Sequence, residues 1–418
     1  MSRARTSRQV FSLAGTLLVL LAAPRPAAGQ TEPKPTYGIV YDVRLTPSQR
    51  SAHVTLRLEN GKRLVRSIRL RIDPERHLNF RGKGLEIGDD FVEWQPPAAT
   101  TTLEYDFRID ALRNERSYDA RCAEDWAIFR GDDLVPPAKV RALRGAEADA
   151  RLRLRLPAGW SAAAPYPEAA KNVFVVEHPE RRFDRPTGWL LVGRIGSVSE
   201  RVAGSRVAVA GPVGHGLRRL DSLALLRWTL PTLRDIAGRL PARLLVVGAG
   251  DPMWRGGLSG PDSLFIHADL PLISNDGSSP LLHELVHSVI GARSGIGGDW
   301  VVEGLAEYYS IELLRRSRTI SRRRYEKILG RLAQKGRGVA SLEVDHASVA
   351  VVARAVTVLH ELDDEIRERS SGAKSLDDVV SAIVERDVTL TTASFRAIAE
   401  SVSGESLVSL FRRWVSSG

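Results

Sequence analysis

The chain has 418 residues, 43% of them apolar, enough for two or three domains with ample core, which excludes a disordered protein. Sixty arginines and lysines against 50 acids give a net charge of +10. Arginine nevertheless occurs in every segment, without the stripe or motif of a nucleic-acid binder, and no nucleic-acid partner is expected. The single cysteine, Cys122, excludes an intrachain disulfide, so the core must hold the fold.

The N-terminus reads as a secretory signal peptide over residues 1–29. Arg3, Arg5 and Arg8 precede an apolar run at 10–23, and Ala27-Ala28-Gly29 supplies small residues before Gln30. The run is short for a transmembrane helix, so the expectation is export, to the periplasm or exterior if the source is bacterial, with no stable membrane span. Beyond it, alternating apolar residues predict strands at 38–43, 53–58, 67–72 and 102–107. Further strands are predicted at 151–156, 172–177 and 188–193, with a hairpin signal at Asn60-Gly61. Many short strands with few helical patterns predict a β-sandwich-like domain over 30–200.

The character then changes. A strand at 206–210 leads to a helical stretch at 217–240 that Pro231 should break or kink. A buried strand follows at 243–247, and Gly256-Gly257-Leu258-Ser259-Gly260 reads as a turn entering another strand. Residues 275–280 are loop, with Ser279 as N-cap and Pro280 opening a helix.

That helix carries His283-Glu284-Leu285-Val286-His287. Residues four apart share a helix face, so both imidazoles can reach one metal ion, while Glu284 lies about 100° round from His283, beside the metal. Chance supplies about 0.01 such H-E-x-x-H matches in a chain of this composition; His360-Glu361 begins a second and fails at Asp364. After a glycine-rich loop, Asp299 is placed as N-cap of a second helix bearing Glu303 and Glu307, four apart and on one face. Glu303 completes a His-His-Glu set with a fourth position open, the layout of a catalytic Zn²⁺ site. From 312 onward the pattern is helical, with a strongly apolar run at 349–362, a helix start at 375–378 and a terminal helix at 407–414. The densest basic run, Arg315-Arg316 with Arg322-Arg323-Arg324, reads as a solvated helix face, leaving attraction to an anionic surface or acidic substrate open. The chain is therefore α+β: a β-rich domain, a zinc-site domain over 201–315 and a helical domain over 316–418.

The motif, with Trp300-x-x-Glu303-Gly304-x-x-x-Tyr308, resembles the gluzincin metallopeptidases. Within them the chain is most similar to the glycyl aminopeptidase family, here without a PDZ domain. The resemblance also rests on Gly256-Gly257-Leu258 with Ser263, on Leu362-Asp363-x-x-Ile366-Arg367, and on Ser371-Gly372-x-x-Ser375-Leu376-Asp377-Asp378. It implies a thermolysin-like catalytic domain, Zn²⁺ on His283, His287 and Glu303, Glu284 as general base, and Glu307 orienting a ligand histidine. It also implies a peptide or protein substrate on the strand of Gly257 and Ser259. Two departures stand out. The family's substrate strand reads G-G-L-E-H, its glutamate anchoring a free α-amine, where this chain has Ser259 and Gly260. Its oxyanion-stabilising tyrosine aligns with Val352, which leaves Tyr309, His346 and His267 as candidate substitutes. The expected activity is peptide hydrolysis, within chains or as a relaxed exopeptidase; the alternative is a zinc-binding scaffold of the cell envelope with little turnover.

Overall fold

Alternation builds the first half of the molecule. Strand Thr36–Thr46 turns Tyr37, Ile39, Tyr41, Val43 and Leu45 inward, and its antiparallel partner Ser51–Glu59 answers with Ala52, Val54, Leu56 and Leu58, all buried. The structure, a computed structural model, describes residues 34–415 except 60–63, 98–100, 178–182 and 387. The expected signal peptide and the Asn60-Gly61 turn lie outside the described residues. These two strands sit near the middle of a seven-stranded sheet that runs from Glu168–Ala170 at one edge to His77–Gly82 at the other. Its inner face shares one core with the four-stranded sheet containing Val65–Arg71 and Phe91–Trp94, the sandwich-like arrangement the alternation predicts.

A third sheet lies between this sandwich and the rest of the molecule, and its two central strands are apolar on both faces. From Trp126–Arg130 and Trp189–Gly193, Ala127, Phe129, Leu190 and Val192 turn into the sandwich core. Trp126, Ile128, Trp189 and Leu191 turn the other way, against Ala210, Leu245, Val247 and Phe265 of the next sheet. Burial on both faces explains the unbroken apolar runs in these strands. Trp126–Arg130 is not among the predicted strands.

The next sheet has the order Ile195–Val202, Ser205–Pro212, Arg243–Ala249, Ser263–His267, Gly257–Gly260. Its three interior strands run parallel, and the edge strand Gly257–Gly260 is antiparallel to Ser263–His267. The expected turn at Gly256 is thus a strand with one free edge. The expected boundary after Glu200 falls inside Ile195–Val202, which pairs along its length with Ser205–Pro212. Helix Arg219–Ala237 covers this sheet with Leu223, Leu226, Leu230, Leu233 and Ile236. Pro231 does not end it. Arg227, whose carbonyl loses its intrahelical partner, is exposed, so water can take that bond.

The rest is helical: Pro280–Ile290, Asp299–Arg316, Arg322–Lys335, Val349–Arg369, Leu376–Arg386, Thr392–Ser403 and Val408–Val415. The fold is α+β, with a β-rich N-terminal region and a helical C-terminal region. Residues from Pro35 onward make one compact unit, and the expected boundary after Arg315 falls inside a helix. A buried ionic network ties that helix to its neighbours. Glu312, 1% exposed, accepts from Arg315 at 2.9 and 2.6 Å and from Arg316 at 2.7 Å. Arg316 also reaches Asp377 at 2.6 and 3.1 Å. Burial alone would raise the Glu312 carboxyl, but hydrogen bonds from Arg315 and Tyr325 and the charge of Arg316 hold it below its ordinary value.

A carboxyl depressed in the folded state contributes stability that is present above its unfolded pKa and lost as pH falls through the folded one. Glu312→Gln, which removes the buried carboxylate that Arg315 and Arg316 share, should cost about 2 kcal/mol in denaturant unfolding at neutral pH. The gap from the wild type should narrow as pH falls below the ordinary glutamate range; a gap constant with pH would contradict this account.

Candidate metal centre

The helix Pro280–Ile290 starts where its sequence dictates. Ser279 is buried and its Oγ accepts from the Leu282 N–H at 3.3 Å, with Pro280 at the first helical position. The preceding loop is held by Arg324, which donates to the Ser274 carbonyl at 3.0 Å, and by Arg331, which donates to Asp276 O at 2.7 Å. Gly291, left-handed at φ 66°, ends the helix. Leu281, Leu282, Leu285, Val286, Val289 and Ile290 are buried, which leaves His283, Glu284 and His287 on the remaining, half-buried face.

The second helix is fixed by the two residues that flank Glu303 in the motif. Trp300 is fully buried and donates from Nε1 to Thr392 Oγ1 at 3.0 Å. At Gly304 a Cβ would lie 2.7 Å from the Cβ of Ala355, so glycine is what lets helix Val349–Arg369 approach. Gly298, not Asp299, is the N-cap; Asp299 begins the helix, and its carboxylate accepts from the Ala347 N–H at 2.7 Å.

These two helices bring three ligands together. His283 Nε2 and His287 Nε2 are 3.1 Å apart, and Glu303 places Oε2 3.3 Å from the first and Oε1 3.5 Å from the second. All three ligand atoms lie within 4.8 Å of one another, and no other such cluster occurs among the described residues. A tetrahedral zinc with ligands at 2.0–2.1 Å separates them by about 3.3 Å. Two imidazoles and one carboxylate fit zinc in both donor type and spacing, and three protein ligands leave a position open. On the far side of the ring, His283 Nδ1 donates to Glu307 Oε2 at 3.1 Å, which fixes the tautomer and directs Nε2 at the cluster.

The electrostatics favour a cation. Burial opposes protonation of His283, but Glu303 and Glu307 outweigh it and push the imidazole up to about 10. Burial would raise Glu303, yet the two histidines hold it far below the carboxylate range. Glu284 is raised, chiefly by burial and further by Glu303, against the pull of the histidines and a hydrogen bond from the Ser259 N–H. Gly257 makes room for it: a Cβ there would lie 2.5 Å from Glu284 Cγ. The structure thus gathers His283, His287, Glu303, Glu307, Glu284, Gly257 and Ser259 at one place.

The expected oxyanion donors fare differently. Tyr309 is corrected: six positions after Glu303, it lies about 120° round the helix. It is fully buried, and its hydroxyl donates to Asp377 at 3.0 Å. His267 is buried, with Nδ1 accepting from the Asp269 N–H at 3.2 Å and Nε2 3.4 Å from Asp251. His346 is exposed in the loop that Ala347 ties to Asp299. Val352 is half-buried on the helix beside Gly304 and carries no donor side chain. One residue absent from the expectations reaches the site. Arg130, ending Trp126–Arg130, donates to the Ser259 carbonyl at 3.3 Å. No local sequence signal marks it, because the contact spans 129 positions.

No family model matches the sequence, and no curated protein matches it. Solved structures do. An aminopeptidase N family protein from Idiomarina loihiensis superposes with TM-score 0.66 at 14% identity, covering 91% of this chain and 75% of its own. An M1 zinc metallopeptidase from Deinococcus radiodurans, solved as a mutant bound to a Tyr-Ser-Ala substrate, gives TM-score 0.60 at 16% identity, covering 92% and 94%. The fold is therefore that of these zinc metallopeptidases, as the resemblance to gluzincins implies.

Two outcomes follow for the centre. His283 must lose its proton to bind metal, so zinc titration at neutral pH should release about one proton, read as buffer-dependent heat in calorimetry. Zinc affinity should weaken as pH falls; affinity flat between pH 6 and 8 would contradict the assignment. Glu307→Ala should weaken zinc binding about 10–100-fold without abolishing it, measured by competition with a chromophoric chelator.

Proposed function

We propose that the chain is a zinc-dependent peptidase that hydrolyses peptide bonds at the His283, His287 and Glu303 centre. The observation that carries this reading is the position of Glu284: half-buried, next in sequence to the ligand His283 and packed against Gly257 of the edge strand, where a Cβ would lie 3.0 Å from its Oε1. Zinc bound there supplies a Lewis acid that polarises a carbonyl and makes water acidic near neutral pH. Glu284 accepts the proton from the attacking water and returns it to the departing amine, and its raised affinity for a proton suits both transfers. Glu307 holds the His283 ring, and Gly257 keeps space for the Glu284 carboxylate.

The substrate in this reading is an extended peptide laid along the free edge of Gly257–Gly260, as an added strand. With Ser259 in place of the family's amine-anchoring glutamate, hydrolysis within chains or relaxed exopeptidase action is favoured over strict aminopeptidase specificity. A second reading, a zinc-binding envelope protein with little turnover, is favoured by Val352, since losing one oxyanion donor costs about 10²–10³ in rate. Export is inferred from residues 1–29. Among the described residues no helix is long and apolar enough to cross a membrane.

Glu284→Gln should keep its zinc by elemental analysis and lose about 10²–10⁴ in peptide hydrolysis. Equal hydrolysis by variant and wild type would overturn the mechanism. Zinc uptake by the wild type without cleavage of any peptide in a broad library would leave the second reading.

A further inference from the structure

Arg130 reaches the working strand from another sheet. It lies opposite Trp189 in its own sheet, and both side chains hold the edge strand. Trp189 Nε1 donates to the Leu258 carbonyl at 2.9 Å, while Arg130 Nη1 donates to Ser259 O at 3.3 Å. Within a strand, the N–H and C=O of one residue point the same way. Gly256 O accepts from the His267 N–H at 3.0 Å, which turns Gly256, Leu258 and Gly260 toward Ser263–His267 and leaves Gly257 and Ser259 facing the free edge. The edge strand therefore has Gly257 against the general base Glu284 and the Ser259 C=O on Arg130. Two residues of one strand thus touch the proton-transfer group and a guanidinium.

Asp132 lies 3.3 Å from Arg130 and 3.7 Å from Arg185, and it also accepts from the Gly188 N–H at 2.8 Å. Residues 256–260 themselves contain no acid. The Arg130 side chain is 31% exposed, and among the described residues two of its five N–H donors are engaged. A peptide on the free edge carries one residue past Ser259, within reach of this fork. A free α-amine there meets a cation, whereas a carboxylate meets a planar, bidentate donor.

We propose that Arg130 determines specificity: it recognises a carboxylate side chain on the substrate residue that passes Ser259, so the preferred substrates are acidic peptides with no free amine at that position. This deepens the peptidase reading and rests on it. The test uses N-acetylated fluorescent peptides of one sequence, with Glu or Lys placed in turn at each position flanking the cleaved bond. Cleavage is measured with the wild type, and binding with Glu284→Gln, which retains the strand and the ligands.

At one position, Glu should be favoured over Lys by about tenfold in kcat/KM and in affinity. Arg130→Gln should erase that preference, mainly through KM, and Arg130→Glu should reverse it. Thermal unfolding identifies a variant that fails to fold, and the wild-type and Glu284→Gln ratios then decide. Equal binding of Glu and Lys peptides to Glu284→Gln at every position, or a preference that survives in folded Arg130→Gln, overturns the proposal. Acid-selective binding without any wild-type cleavage supports the role of Arg130 while removing the peptidase reading.

Discussion

Two imidazole nitrogens 3.1 Å apart, both facing a carboxylate, need something positive between them. A lone pair cannot face a lone pair at that distance, so a proton or a metal ion must be shared, and the position of every neighbouring group follows from that demand. Glu307 occupies the other nitrogen of His283, which commits Nε2 to the shared cation. Glu303 neutralises charge from across the gap. Glu284, one residue after a ligand, is close enough to handle protons yet turned away from the ligand position.

Holding three side chains to this geometry falls to parts of the chain with no chemistry of their own. The second helix is pinned near its start by Trp300 on Thr392 and by the glycine contact with Ala355, and at its end by Arg316, which joins Glu312 to Asp377. Each anchor belongs to a different C-terminal helix or to the helix itself, so the C-terminal region acts as the mould for Glu303 and Glu307. The first helix is set by its N-cap and by arginine contacts to the loop before it. The β-rich region contributes at one point, where Trp189 and Arg130 grip the edge strand beside Glu284. Helices and strands from three parts of the molecule thus converge on one site.

Much of this was legible because it is local. The i, i+4 spacing of His283 and His287, the Ser279-Pro280 start, the Glu303–Glu307 pair and the alternating strands depend on neighbours a few residues away, and periodicity reads those directly. What failed was either angular or non-local. Tyr309 follows the right motif at the wrong angle and is committed to Asp377. The break allowed for at Pro231 does not occur, because tertiary packing carries the helix through it. Gly257–Gly260 looks like a turn because it is glycine-rich, and is a strand because Ser263–His267 supplies its partner. Arg130 is one of 52 arginines in the sequence, and only the fold distinguishes it.

The central claim is that His283, His287 and Glu303 hold a zinc ion with one position left for chemistry. Anomalous diffraction at the zinc edge from crystals grown with zinc tests it most directly. The account predicts one strong peak about 2.0–2.2 Å from Nε2 of both histidines and from a Glu303 oxygen, with a non-protein fourth ligand. A peak elsewhere, or a fourth protein ligand closing the site, would contradict it.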